Sequence, residues 1–312
     1  SHSIVWGTAN TGLNARTLYL GAADATHTLD FQNPLDLGTG TRTVQVADGT
    51  AAVDAKLSGI LSGGTNGSLT KTGAGTLQLT AANSYTGTTT VSAGTLMLSG
   101  ASGVIASTSR VAINAGATLQ ISNTSGSDNL GDRLNNAATV AMTSGILNFS
   151  HTGDGGTNYS ETTGPVTISG TGNRIISSQA ATGRTSTLTL GVLSGTLTGL
   201  QFEGPGLGDA NLRNRILITG RSAGAITGAT HYDPLTLLTR AAVYSIAYGV
   251  GPLTSDANVD VLGGVIPTGS DAVSIIQAGS SGDITLSSDP TIIASLVQTA
   301  NQLGTVAMPG QT

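Results

Sequence analysis

A short phrase, a glycine followed by alternating apolar residues, recurs along this chain. Gly75–Leu79 reads GTLQL, and Gly94–Leu98 reads GTLML. Leucines two positions apart lie on the same side of a β-strand, and the residue between them faces the other side. A strand that returns after so short an interval predicts a regularly wound chain, a β-solenoid, with one strand in each coil.

Further copies of the phrase extend the solenoid beyond these two strands. Gly116–Ile121 and Gly145–Phe149 repeat the pattern, and the interval between copies lengthens along the chain. The longest of these intervals holds residues 125–136, which we predict to be a loop that leaves one coil. A fifth copy is predicted from Gly195 to Phe202, with Val166–Ile168 in the coil between. Unequal intervals between similar strands are typical of a solenoid whose corners vary in length.

The composition favours short strands joined by tight corners. The chain has 45 glycines and 8 prolines among 312 residues, which suits corners more than helices. Hydrophobic residues make up 38% and charged residues 9%, which argues against a disordered chain. A β-sandwich built from hairpins is the alternative, but the Asn-Gly signal of tight hairpins occurs only at Asn66-Gly67.

The pattern changes near residue 230, so we divide the chain into two parts. Residues 1–230 are predicted to form a parallel β-helix, and residues 231–312 a divergent, loop-rich segment. The second part either continues the helix or mediates association. Within it, residues 290–302 fit both a helix beginning with a proline and a strand, and we favour the strand.

Charge and cysteine content exclude or favour whole classes of function. The net charge is −5 and the pI about 5.1, and the nearest approach to a basic run is Arg213-Asn214-Arg215. A nucleic-acid partner is therefore not expected, because phosphate binding needs a basic patch. The absence of cysteine is consistent with bacterial export. No apolar run reaches the ~18 residues that a membrane-spanning helix needs.

The stretch Gly67–Leu98 resembles the passenger-associated transport repeat, also called the autotransporter-associated β-strand repeat. The order and spacing of fifteen positions carry the resemblance: Leu69, Lys71, Gly73, Gly75, Thr76, Leu77, Leu79, Asn83, Tyr85, Gly87, Thr89, Val91, Gly94, Thr95 and Leu96. Ala81 and Thr88 stand where that family more often has glycine. The resemblance covers about a tenth of the chain.

The resemblance implies a fold, a location and a role. It implies an all-β chain wound as a right-handed parallel β-helix, exported to the cell surface or the extracellular space of a Gram-negative-type bacterium. It also implies that this chain is part of a longer surface polypeptide. Members of the family are typically adhesins or surface fibres, and the repeat is associated with export and folding, not with catalysis.

An enzyme on the same fold remains the alternative interpretation, and it would need clustered carboxylates. The acidic candidates are Glu161 and Glu203, the pairs Asp128/Asp132 and Asp256/Asp260, and the series Asp24, Asp30 and Asp36. A six-residue step crosses a corner of a coil, so the series is not expected to converge. We interpret these aspartates as turn-forming and solvent-facing, since aspartate favours turns.

The histidines and the one basic residue of the repeat are also given structural roles. His151–Gly156, followed by Arg174 and Arg184, is the most enzyme-like string, but its spacing matches no metal or phosphate motif, and we interpret it as a polar loop. The other histidines, at positions 2, 27 and 231, are too dispersed for a zinc site. We expect Lys71 to lie outward with its stem over the sheet, and Tyr85 to pack at a corner of the coil.

The sequence therefore predicts a non-catalytic structural or adhesive segment of a bacterial extracellular surface or fibre protein. We predict no catalytic, cofactor-binding or metal-binding residue, no cofactor and no enzymatic activity. The predicted partners are other copies of the chain, in fibres or arrays, or a glycan or protein of a host or cell surface. A polysaccharide lyase or hydrolase is the first alternative, and a glycan-binding module is the second.

Overall fold

The regular structure of the described part of the chain consists of β-strands alone. In a computed structural model, the residues described are 3–7, 12–13, 16–123, 130–151, 158–179, 184–207, 214–221, 224–233, 238–245 and 249–252, with five short strands between 265 and 307. Throughout these ranges there is no helix that would be long and apolar enough to cross a membrane.

The strands follow one another at short intervals. In chain order they are β1 Ile4–Trp6, β2 Gly12–Leu13, β3 Leu18–Leu20, β4 Leu29–Phe31, β5 Leu35–Asp36, β6 Thr41–Val46, β7 Ala55–Leu57, β8 Leu61–Ser62, β9 Ser68–Thr72, β10 Thr76–Leu79, β11 Thr88–Val91, β12 Thr95–Leu98, β13 Arg110–Ile113, β14 Thr118–Ile121, β15 Thr139–Thr143, β16 Ile146–His151, β17 Tyr159–Thr162, β18 Val166–Ser169, β19 Arg174–Gln179, β20 Ser186–Leu190, β21 Leu193–Gly195, β22 Gln201–Glu203, β23 Asn214–Ile218, β24 Gly224–Asp233, β25 Leu238–Ser245, β26 Gly249–Pro252, β27 Val265–Ile266, β28 Val273–Gln277, β29 Ile284–Leu286, β30 Ile293–Gln298 and β31 Val306–Ala307.

These strands wind into a parallel β-solenoid with three faces. The first sheet stacks eight strands in the order β3, β6, β9, β11, β13, β15, β18 and β21. The second stacks nine parallel strands in the order β4, β7, β10, β12, β14, β16, β19, β22 and β24. The third face has β2, β1, β5 and β8 near the start and β17, β20 and β23 further along. The hairpin-built sandwich is excluded for this part, because every described pair up to β24 is parallel.

The repeated phrase stacks in register, as its spacing predicts. Leu77 pairs with Leu96, Leu96 with Leu119, and Leu119 with Leu147 along the second sheet. Each of these leucines is completely buried. The glycine that opens the phrase lies at the corner between the first and second sheets. The core of the protein is therefore a set of apolar columns that run along the solenoid axis, one residue from each coil.

Two details of the sequence prediction are wrong. A coil contains two or three strands, not one, because the first sheet and the third face supply strands between successive copies of the phrase. The copy predicted from Gly195 to Phe202 overlaps the second sheet only at β22, Gln201–Glu203, and the strand that follows the Gly145 copy in that sheet is β19. Val166–Ile168 belongs to the first sheet. Gly195 resembles the glycine that opens the phrase, but it ends β21 of the first sheet.

The two ends of the described solenoid differ. At the start, Ile4–Trp6 pairs on both sides, with β2 and with β5, and the buried Trp6 indole donates to the Arg16 carbonyl at 3.1 Å. At the other end, β24 is parallel to β22 but antiparallel to β25, which is antiparallel to β26. The division at residue 230 stays a prediction. The favoured strand within 290–302 is present as β30.

Candidate functional site

Lys71 lies inside the solenoid, so the prediction of an outward lysine is wrong. Its side chain is completely buried, and Nζ donates to the carbonyls of Thr72 at 3.0 Å, Gly73 at 2.7 Å and Ala93 at 3.0 Å. Burial lowers the pKa of Lys71 to about 8. The lysine thus satisfies carbonyls that two successive corners would otherwise leave without donors.

A carboxylate holds the preceding corner in a complementary way. The buried Asp54 accepts the N–H of Gly49 at 2.7 Å and the N–H of Thr76 at 2.7 Å. Tyr85 packs at another corner, as predicted: it is buried, and its hydroxyl lies 2.7 Å from Thr89 Oγ1. Lys71 within the repeat and Asp54 before it therefore hold the backbone of turns, whereas Tyr85 bonds another side chain of the repeat.

A second buried polar cluster, which the sequence did not reveal, surrounds Arg133. The guanidinium is completely buried: Nη1 donates to the Gly103 carbonyl at 2.7 Å, and Nη2 donates to the Gly100 carbonyl at 2.8 Å. Nη2 and Nε also donate to Asn123 Oδ1, at 2.6 and 3.2 Å. One arginine thereby ties the coil that carries it to the preceding one.

Glu161 joins the cluster from the following coil. Its carboxylate accepts the N–H of Arg133 at 2.9 Å and the N–H of Leu134 at 3.0 Å, two bonds that a neighbouring strand would otherwise supply. Burial, with a smaller contribution from the Asp132 carboxylate, raises the pKa of Glu161 to about 8, although these N–H donors and the Arg133 charge oppose the rise. The side chain takes the place of backbone pairing between two coils.

We expect Glu161→Gln to change the pH dependence of stability. The folded pKa of about 8 lies above the ordinary value of 4.5, so the folded protein holds a proton that the unfolded chain releases. The bound proton adds to the free energy of unfolding. This stabilisation is present in full below pH 4.5 and is lost as the pH rises to 8. Thermal melting of both proteins at pH 4.5 to 8 checks this: the melting temperature of the wild type should fall relative to that of the variant, and parallel curves would contradict it.

His151 lies next to this cluster and is neutral. The imidazole is buried, and its Nδ1 accepts the Asn123 N–H at 3.2 Å. Burial, together with the Arg133 charge, lowers the pKa of His151 to about 3. The ring stacks on Tyr159 with centroids 4.2 Å apart and meets Phe149 edge-on at 4.3 Å. The enzyme-like string beginning at His151 therefore starts with a core residue, and positions 152–156 lie outside the described residues.

Among the described enzyme candidates, Asp132 lies near enough to Glu161 to raise its pKa, and the other carboxylates have separate partners. Asp30 pairs with Lys56 at 3.0 Å, Asp36 Oδ1 accepts the Gly38 N–H at 2.9 Å in its own turn, and Glu203 pairs with Arg174. Asp24 is exposed and lies in a turn, and Asp132 Oδ1 accepts from Asn136 at 3.0 Å. Asp128, Asp256 and Asp260 lie outside the described residues. Each of these described acids thus has a turn or surface role.

The remaining histidines and basic candidates are dispersed as well. His27 is exposed, His231 is buried at the other end of the solenoid, and Arg184 is exposed. His2 lies outside the described residues. Over the described ranges, no three His, Cys, Asp or Glu side chains are grouped so that they could hold a metal ion.

The outer surface of the first sheet is hydroxyl-rich and bears little charge. One outward column runs along neighbouring strands as Thr43, Thr70, Thr90, Ala112, Ala141, Thr167 and Ser194. Beside it, Arg110 is the one charge among the outward residues of β13. The outer surface of the second sheet instead carries the pairs Lys56–Asp30 and Arg174–Glu203. The first sheet therefore offers a surface of small, mostly hydroxyl-bearing side chains.

The comparison with family models agrees with the resemblance found in the sequence. Residues 69–98 match the model described as passenger-associated-transport-repeat. No curated protein and no solved structure matches the chain. The matched residues span β9 to β12, which are two successive strands in each of the first and second sheets. Residues 69–98 are thus a passenger-associated transport repeat that forms part of a parallel β-solenoid.

Proposed function

We propose that this chain is a non-catalytic structural segment of a bacterial extracellular surface or fibre protein, and that the outer surface of its first sheet is adhesive. The repeat at 69–98 supports a location outside the cell. The observation that carries the proposal is that polar side chains in the described ranges bond mainly to other parts of the solenoid itself. Lys71, Arg133 and Glu161 hold corners and neighbouring coils together, and the described acids and histidines form no group of three that could hold a metal ion.

The first sheet is the surface best suited to contact. Its central outward column has seven small residues, Thr43 to Ser194, none of them charged. Five of the seven carry a hydroxyl group, and all have short side chains on a hydrogen-bonded sheet, so little conformational entropy is lost when a partner binds. A glycan or protein surface that offers hydrogen bonds would fit it. Other copies of the chain would fit as well, which would produce fibres or arrays.

Matched charge substitutions on the two sheets test this assignment. Thr90→Glu places a carboxylate in the middle of the first sheet, and Gln120→Glu places one at an outward position of the second sheet. Beads coated with the whole chain are incubated with bacterial cells and with cultured animal cells. We expect Thr90→Glu to weaken binding about tenfold, equivalent to about 1.4 kcal/mol, and Gln120→Glu to leave it within about twofold.

Two outcomes would contradict the proposal. Equal loss of binding in both variants would remove the first sheet as the contact surface. Release of reducing ends or unsaturated sugars from soluble polysaccharides incubated with the chain would instead support a lyase or hydrolase. Equal melting temperatures for the two variants would show that binding, not folding, is being compared.

A further inference from the structure

A file of polar side chains lies inside the solenoid, at the corner between the second sheet and the third face. Asn123, His151 and Gln179 occupy it in three successive coils, and Asn214 continues it from the third face. All four are buried, and His151, the most exposed of them, shows only 3% of its surface. His151 and Gln179 are register partners on neighbouring strands, so their backbones are about 4.8 Å apart. We call these four residues the polar seam.

The seam contains polar atoms that have no hydrogen-bonding partner among the described residues. They are Asn123 Nδ2, His151 Nε2, both side-chain amide atoms of Gln179, and Asn214 Oδ1. Buried polar atoms almost always have a partner, either in the protein or in ordered water. Four neighbouring residues with the same deficiency indicate that something other than the described protein atoms completes them.

The chemistry of these atoms identifies the occupant. Since His151 Nδ1 accepts the Asn123 N–H, the neutral ring carries its proton on Nε2, which is therefore a donor. Asn123 Nδ2 is also a donor, whereas Gln179 Oε1 and Asn214 Oδ1 are acceptors. A metal ion would satisfy only the acceptors, and the nearby Arg133 charge would oppose it. An anion would satisfy only the donors.

A small molecule that both donates and accepts fits all of them. We propose that the polar seam binds a file of ordered water molecules that bridge His151, Gln179 and Asn214 from coil to coil. Water makes up to four hydrogen bonds of both kinds and occupies polar interior sites of this type. Leu57, Leu79, Leu98, Ile121 and Phe149 form an apolar column whose next residue in register is Ser177. The polar seam runs beside this column at Asn123 and His151 and continues past its end at Gln179.

Two substitutions of Gln179 in the whole chain test the proposal, because a dry core and a hydrated seam predict opposite orders. In a dry core, leucine fills the space and alanine leaves a cavity, so leucine is the better tolerated. In a hydrated seam, Gln179→Ala admits one more water, whereas Gln179→Leu expels water and leaves His151 Nε2 and Asn214 Oδ1 unsatisfied. We expect Gln179→Ala to lower the melting temperature by no more than about 2 °C and Gln179→Leu by about 4 °C or more.

Ile175 supplies the control, since it faces the core from the same strand and is completely buried. Ile175→Ala should lower the melting temperature by about 5 to 10 °C, and Ile175→Leu should lower it less. At this position leucine is better tolerated than alanine, as expected in a dry core. Gln179→Leu that melts at or above Gln179→Ala would overturn the proposal. A crystal structure of the wild type that shows no solvent density within hydrogen-bonding distance of His151 Nε2 would also overturn it.

Discussion

Replacing Gly94 by alanine is expected to destabilise the protein by about 2 to 5 kcal/mol, as the sum of a steric conflict and a left-handed backbone. Gly94 has a φ of +62°, and a Cβ built there would lie 2.5 Å from the Gly73 carbonyl oxygen and 2.6 Å from those of Ala74 and Gly75. These oxygens belong to the corner of the preceding coil, so the only relief is to separate two stacked coils. Denaturant unfolding of the purified variant measures the loss.

Gly116 provides a control at the corresponding corner of the next copy of the phrase, one residue further from its strand than Gly94, because Thr95 pairs with Thr118. Its φ is +71°, but an added Cβ would meet no described atom within 4 Å. Gly116→Ala should therefore cost only the left-handed conformation, about 1 to 2 kcal/mol. Equal losses of stability in Gly94→Ala and Gly116→Ala would contradict this prediction. They would show that contact with the preceding corner does not require a glycine at position 94.

Replacing Arg133 by methionine is expected to cost about 3 to 5 kcal/mol, because three buried oxygens lose a charged donor and each costs about 1 kcal/mol or more when left unsatisfied. The variant retains the length and apolar stem of the side chain but removes every donor that reaches Gly100, Gly103 and Asn123. The carbonyls and the amide oxygen would stay buried with fewer partners. Unfolding in guanidinium measures the change.

Arg110→Met is the control for this substitution, because Arg110 is exposed on β13. It should change stability by no more than about 0.5 kcal/mol. Arg133→Lys separates charge from geometry: lysine keeps the charge but not the planar fork, and an intermediate loss is expected. If Arg133→Met proved as mild as Arg110→Met, the cluster would not hold the coils together.

Local spacing was enough to predict the winding of the chain. Leucines two apart after a glycine identify a strand and its inward face, and the return of the phrase at Gly94–Leu98 places Leu77 beside Leu96. The repeat at 69–98 was recognised for the same reason, because its pattern lies within a few dozen adjacent residues. The number of strands in a coil was missed, since the strands between copies of the phrase have less regular sequences.

The placement of charged side chains could not be predicted in this way. Lys71 occupies an inward position whose neighbours in register are Val44 and Val91, and only its alternation with Leu69 in the strand indicated that it faces inward. Lysine is rarely buried in proteins, so this alternation alone does not predict an inward side chain. The structure shows that three carbonyls at two corners satisfy the charge, and these corners are adjacent only because the coils are stacked.

The order of the amino acids alone determines three features: the β-solenoid, which residues of each strand face its core, and the transport repeat. All three depend on short-range alternation and on intervals along the chain. Which polar residues are buried, and what they contact, emerges only when the coils are stacked in space. Arg133 reaches a carbonyl 33 positions away, and the Glu161 carboxylate accepts an N–H 28 positions away. Such contacts depend on the stacking of particular coils, and loop lengths that vary from coil to coil conceal that stacking in the sequence.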